Sequence, residues 1–323
     1  AQLDELVGLM PELANNPTFV ETRLLRLRPG GDALLDHSPD ERVAYLERLW
    51  GYVSDLSPAF NSLKASVLYR RLLEAREAGE FPQDEFLIYL KLPRPVNYML
   101  PRYLDESSRR ASMADLGTDY RATTGFPPIN SDEALVRHFL ELSFVEDETY
   151  QRYSPFIRED YLKQVFAETK LTRGLGDAAE YFSMLTPTQV EAIRERVEIA
   201  FSPTNSDVFA GADEVSLSVQ LKSVDELIVK VYEITAHNFY LDQQRELGTD
   251  LNLDGLVANE ETRHQFDEPS VIRHEETFTF DSMSGKRGIW VVELIGNGIS
   301  SRALIRKGKL HCLSTTTPGG ELI

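Results

Sequence analysis

Two hydrophobic periods divide this chain, and the point where one gives way to the other constrains the fold more than any motif. Up to about residue 202 apolar residues recur at helical spacing. From Val215 they alternate, with Val215, Leu217, Val219 and Leu221 separated by Ser216, Ser218 and Gln220. A spacing near 3.6 lines one face of a helix with apolar side chains, and a spacing of two lines one face of a strand. The succession predicts an α+β protein, with a helical N-terminal domain over 1–202 followed by an antiparallel β-sandwich over 206–323.

The helix starts share one device. His37-Ser38-Pro39-Asp40-Glu41 puts a hydroxyl where it can accept an N-terminal amide, proline where no N–H is needed, and a glutamate that can return the bond. Thr186-Pro187-Thr188-Gln189 repeats it. Val43, Leu46, Trp50 and Val53 follow the first start, and Val190, Ile193 and Val197 the second, so both faces read as core-directed. Further helices are predicted over 58–78, ended by Gly79, and over 83–91, 131–143 and 155–169. Residues 111–131 hold Gly117, Gly125, Pro127 and Pro128 without a sustained period, and read as a long surface connection.

In the second half, strands are predicted at 227–234, 272–280, 289–295, 300–305 and 309–313, with Gly296-Asn297-Gly298 and Lys307-Gly308 as turns. Short antiparallel strands in such succession indicate a sandwich. Residues 237–266 interrupt the pattern as an insertion between two strands, and Thr315 to Ile323 read as a linker entering a further strand of a longer polypeptide.

Charge excludes some partners. With 52 Asp+Glu against 34 Lys+Arg the net charge is -18, unsuited to nucleic acid or an anionic membrane. No run approaches the ~20 apolar residues of a membrane span. Cys312, the single cysteine, permits no intrachain disulfide and reads as a small buried residue. Neither a phosphate loop nor a Gly-x-Ser-x-Gly nucleophile occurs, and Ser300-Ser301 has no partner that sequence can supply, so the chain reads as non-enzymatic with no cofactor. His264 and His274, with Glu276 nearby, could converge if their segments pair; lacking ligand spacing, cross-strand histidines are the plainer interpretation. Arg70-Arg71 and Arg109-Arg110 could clamp an anion, with surface salt links the plainer account.

DLNLDGLVANEE (250–261) scans as a calcium loop. Asp250, Asn252 and Asp254 fall at the side-chain ligand positions, Gly255 at the sharp turn, Leu256 at the carbonyl position and Glu261 at the bidentate position. Gly248-Thr249 and Pro269 leave little room for the helices that normally flank such a loop. The alternative is an acidic turn in which Leu251, Leu253, Leu256 and Val257 pin the insertion to the sandwich.

Three runs, VSLSVQLKSVDELIVKVYEI, DLNLDGLVANEE and RGIWVVELIGNGISSRALIRKGKL, together resemble a module of the large bacterial multidomain proteins related to the α2-macroglobulins. The resemblance spans roughly 206–323 and implies a macroglobulin/Ig-like β-sandwich. It also implies a non-catalytic scaffold or interaction role toward a protein partner or further domains of the same chain, at the cell envelope or outside the cell. The thioester sequence Gly-Cys-Gly-Glu-Gln of protease-trapping members is not found around Cys312, so covalent trapping is not implied.

Overall fold

Asn16-Pro17 and Ser38-Pro39 open the first two helices of a computed structural model, which describes residues 9–30, 35, 38–245, 247–253, 255–308, 315–317 and 320–322. In α1 (Pro17–Leu27) the Asn16 side chain accepts the Phe19 amide, and in α2 (Pro39–Val53) the Ser38 hydroxyl accepts the Glu41 amide. Each proline occupies the first turn, where its missing N–H costs nothing. Then come α3 (Asn61–Glu77), α4 (Gln83–Lys91), α5 (Glu133–Glu146), α6 (Glu159–Thr172) and α7 (Ala178–Ser183). Gly79, at φ +73, ends α3 in the left-handed conformation that glycine adopts without strain. The chain divides into two units, Ala1–Leu171 with Leu175–Thr186, and Thr172–Gly174 with Pro187–Ile323.

The helical unit has two cores that share α3. Leu63 and Val67 join Val20 and Leu24 of α1 and Tyr45, Leu46, Leu49 and Val53 of α2. Ala65, Leu68 and Leu72 join Phe86 and Leu90 of α4, Phe139 and Phe144 of α5, and Val165 and Phe166 of α6. Two expectations need correction. Val43, read as core-directed, is exposed. The 111–131 connection is more than a surface loop: Ala114 and Leu116 enter one core while Tyr120 and Phe126 pack on the other. Its backbone is tied down by Ala114 N–H to Pro93 O and Ile129 N–H to Leu116 O.

A buried ionic cluster joins these segments. Arg94, fully enclosed, donates from Nε to Asp132 Oδ2 at 2.7 Å and from Nη1 to the carbonyls of Tyr89 and Leu92. The Tyr89 and Tyr98 hydroxyls donate to the same Asp132 oxygen at 2.7 and 2.8 Å. Burial opposes the guanidinium charge, but Tyr98, Tyr89 and Asp132 overcome it and raise the Arg94 pKa. Burial likewise drives both phenols well above their ordinary value.

The second unit begins with α8 (Pro187–Glu195) and continues as a sandwich. One sheet has the order β1 (Glu198–Phe201), β3 (Ser216–Lys222), β6 (Arg273–Thr279). The other runs β2 (Val208–Phe209), β8 (Ile299–Lys307), β7 (Gly288–Gly296), β4 (Glu226–Ile234), β5 (Glu260–Gln265). All pairings are antiparallel except β2 with β8. A further hairpin joins β9 (Thr315–Thr317) and β10 (Gly320–Leu322). Leu217, Val219 and Leu221 of the smaller sheet meet Val229, Val231, Trp290, Val292 and Leu294 of the larger, which makes the core the alternation predicts. β7 and β8 are joined through Asn297 (φ +42) and Gly298 (φ +83), the two left-handed residues a tight hairpin needs.

The insertion begins with α9 (Ala236–Gln243) and folds back over the outer face of the larger sheet. Leu247 and Leu253 are buried there against Tyr232, Val291 and Leu304, and Arg302 donates to Leu251 O at 2.8 Å. β7 is therefore covered on both faces, which accounts for the largely apolar run in GIWVVELIG, whose one charged residue, Glu293, is buried and paired with Arg302. Leu253 and the partly buried Leu251 do pin the insertion; Leu256 and Val257 are 51% and 90% exposed and do not. The strand predicted at 309–313 lies outside the described residues.

Candidate functional site

Where β5 and β6 end their sheets, the sandwich is open along one side. Each has a single neighbour among the described residues, β4 for β5 and β3 for β6. Between them lies a cavity of about 320 Å³, with Val229 and Val231 at its base, Thr262 and His264 on one wall and Phe278 and Thr279 on the other. Ring contacts bridge the gap. His264 meets Phe278 edge-on at 5.0 Å, and Phe266 meets His274 at 5.1 Å. Thr262 Oγ1 and His264 Nε2 share a hydrogen bond of 3.1 Å, which fixes the ring against the wall.

The electrostatics of this side are acidic. Arg263 is engaged by Glu226 at 2.8 Å and Glu261 at 3.2 Å, and Arg273 by Glu198 at 2.6 Å. Burial alone would raise the Glu198 carboxyl; the guanidinium groups of Arg273 and Arg196 outweigh it and hold the pKa below the ordinary value. Glu260, which also lines the cavity, has its Oε2 buried without a hydrogen-bond partner. That oxygen is an acceptor waiting for a donor, because a buried acceptor left unpaired costs free energy.

The histidines foreseen as a possible pair thus stand on opposing strands, each against an aromatic ring, and Glu276 does not bring them together. Among the described residues no group of three His, Cys, Asp or Glu side chains is placed to hold a metal. Of the proposed calcium ligands, Asp250 is paired with Arg245 at 3.0 Å, while Glu261 belongs to β5 and faces Arg263 and, at 3.8 Å, Lys230. Asn252 has a partner of its own, Leu256 is exposed, and Asp254 lies outside the described residues. Cys312 also lies outside them.

The arginine pairs resolve differently from one another. Arg71 is held by Glu85, Arg109 by Glu106 and Arg110 by Asp105. Arg70 instead lies 5.8 Å from the Phe126 ring and donates to Pro127 O at 2.9 Å, and its burial lowers its pKa. Ser300 and Ser301 pair with Ile295 and Leu294 across the β7–β8 hairpin. Sequence reasoning missed the β5–β6 cavity altogether. Its one trace is the pair of segments TRHQF and EETFT, in which an aromatic residue sits within a polar strand.

Comparison with known proteins gives this geometry a family. Residues 1–197 match the model described as the actin-binding protein F N-terminal domain, and residues 227–308 match that of the AbpF first immunoglobulin-like domain. Actin-binding protein F of Dictyostelium discoideum is 31% identical over 276 residues, covering 84% of this chain and 12% of that protein. The chain thus spans about an eighth of the relative's length. These findings bear out the α+β fold with an Ig-like second half and overturn the α2-macroglobulin resemblance. GIWVVELIG, part of one of the three runs behind that resemblance, owes its largely apolar character to being covered on both faces. The bacterial parent and the envelope or extracellular location fall with it, since the relative is a D. discoideum protein named for binding actin. No helix among the described residues is long and apolar enough to cross a membrane. The helical match covers more than half of the chain, which belongs to the actin-binding protein F N-terminal domain family.

Proposed function

We propose that the chain is a non-catalytic, protein-binding segment of a longer polypeptide, and that its partner is actin. The observation that carries this is the 31% identity to actin-binding protein F, which runs over 84% of the chain and therefore through both units. A cytoskeletal location goes with it. The test is co-sedimentation of the 323-residue chain with actin filaments at micromolar concentrations. Saturable pelleting with the filaments is expected; a chain that stays in the supernatant throughout refutes the proposal.

A calcium-stabilised module using the 250–261 loop is the second reading, favoured by Gly255, whose φ of +82 is the sharp turn that the sixth position of such a loop needs. Calorimetric titration tests it. Heat that disappears in Asp250→Ala supports the ion, and no heat ends this reading.

A further inference from the structure

We propose that the open edge of β6 is a docking strand for an extended, basic segment of a partner protein. That segment would add to the smaller sheet and lay alternate side chains into the β5–β6 cavity. The proposal rests on the protein-interaction reading and adds the surface and the chemistry of what it binds.

The register of β6 fixes which groups are on offer. Phe280 N–H donates to Val215 O at 2.9 Å, and β6 continues antiparallel to β3 with Phe278 opposite Leu217 and Glu276 opposite Val219. In an antiparallel ladder residues alternate between those whose N–H and C=O face the partner strand and those whose groups face away. Phe280, Phe278, Glu276 and His274 therefore face β3. Glu275, Thr277 and Thr279 turn their backbone groups toward the open side, where no strand among the described residues takes them, and all three residues are exposed.

An added strand on that edge has side chains pointing alternately outward and into the cavity, where Val229, Val231 and Phe278 offer an apolar floor. Charge selects the occupant. Arg263 and Arg273 are already held by carboxylates, whereas Glu275 and Glu276 make no ion pair among the described residues and Glu260 Oε2 is buried without a donor. Glu276 and Glu260 lie on the cavity face and Glu275 on the outer face, so an extended segment with lysine or arginine at alternate positions can lay the stems of those side chains over the apolar floor, set their charges against the cavity carboxylates and pair its backbone with the open groups.

The probe is a fluorescent peptide of alternating lysine and valine, with an alternating glutamate and valine peptide as control, titrated into the full chain and followed by anisotropy and by amide exchange. Binding of the lysine peptide only is expected, with exchange slowed at Glu275, Thr277 and Thr279. Thr277→Pro removes an outward N–H and no backbone bond of the existing sheet, losing only the exposed hydroxyl contact with Ser218, and proline is tolerated on an edge strand; Thr277→Ala, which loses the same hydroxyl contact and keeps the N–H, is the control and is expected to bind as the parent does. Thr277→Pro is expected to weaken binding by about tenfold or more, the loss of a backbone hydrogen bond with its partner left unpaired. Glu260→Gln is expected to weaken binding severalfold. Equal binding by Thr277→Pro, protection at other amides, or equal affinity for the acidic peptide overturns the proposal. Should the chain pellet with actin while binding no lysine peptide, edge docking fails and the actin reading survives; the reverse pattern leaves edge docking and removes actin.

Discussion

Asp132→Asn in the buried cluster of the helical unit is the most direct test of what holds that unit together. Arg94 is 0% exposed and Asp132 1%, so neither charge is solvated by water. The substitution keeps size and leaves an oxygen for the Tyr89 and Tyr98 hydroxyls, but removes the charge that faces the guanidinium at 2.7 Å. The new amide nitrogen takes the place of Oδ1, which has no hydrogen-bond partner, so nothing is gained in return. Removing one member of a buried pair costs about 3–5 kcal/mol. Because Arg94 keeps its bonds to Tyr98 and to the carbonyls of Tyr89 and Leu92, the lower end, about 3 kcal/mol, is expected. For a unit of this size that lowers Tm by about 6–12 °C. Asp132→Ala also strands the two hydroxyl donors and leaves Arg94 Nε only its 3.2 Å bond to the Tyr98 oxygen, and should approach about 5 kcal/mol. Trp50 lies in the helical unit and Trp290 in the sandwich, so Trp50 fluorescence in a Trp290→Phe background reports the relevant transition during urea unfolding. A cost for Asp132→Asn within about 1 kcal/mol of zero, or Asp132→Ala milder than Asp132→Asn, would refute a paired-charge origin of this stability.

Three further outcomes follow from the sandwich. Gly296→Ala places a Cβ 2.8 Å from Val224 Cγ1 and 2.9 Å from the Glu226 carbonyl, and should cost about 1–3 kcal/mol in denaturant unfolding of the second unit. Glu198 has its pKa lowered from 4.5 in the folded state, so its contribution is fully present above that value and is lost as pH falls through the folded pKa. Stability of the second unit measured between neutral and acid pH should therefore fall less steeply in Glu198→Gln than in the parent chain. Lys222 is buried and donates to the carbonyls of Ile193 and Arg196 at the end of α8, so Lys222→Met should cost about 2–3 kcal/mol and loosen that helix, seen as faster amide exchange over Pro187–Glu195.

Residues whose environment is set by their near neighbours were legible in sequence, and those set by distant partners were not. Ser38-Pro39, Gly79 and Asn297-Gly298 act within a few residues of themselves, and the elements they punctuate fall close to where they were expected. Val197 and Phe201 continue the helical spacing of Val190 and Ile193 while Val197, Ile199 and Phe201 also alternate, and only pairing with β3 decides that Glu198–Phe201 is a strand. β5 carries no apolar stripe because it is an edge with both faces largely wet, so EETRHQ looks like loop. The β5–β6 cavity is assembled from β4, β5 and β6, and nothing in any one of them announces it. The metal-like spacing of 250–261 failed to indicate Arg245 and Arg263, which claim two of its carboxylates in the fold.

The carboxylates along β6 have a bearing on the chain's behaviour toward copies of itself. A polar strand with open backbone groups is an invitation to fibril-like stacking, which natural sheets forestall by placing charge on the edge. Two copies meeting edge to edge would bring Glu275 and Glu276 of one against those of the other, within molecules that each carry a net charge of -18. Like charges directly opposite across a strand pair are destabilising. The same side chains that leave the edge open to a cationic strand thus oppose its pairing with its own kind.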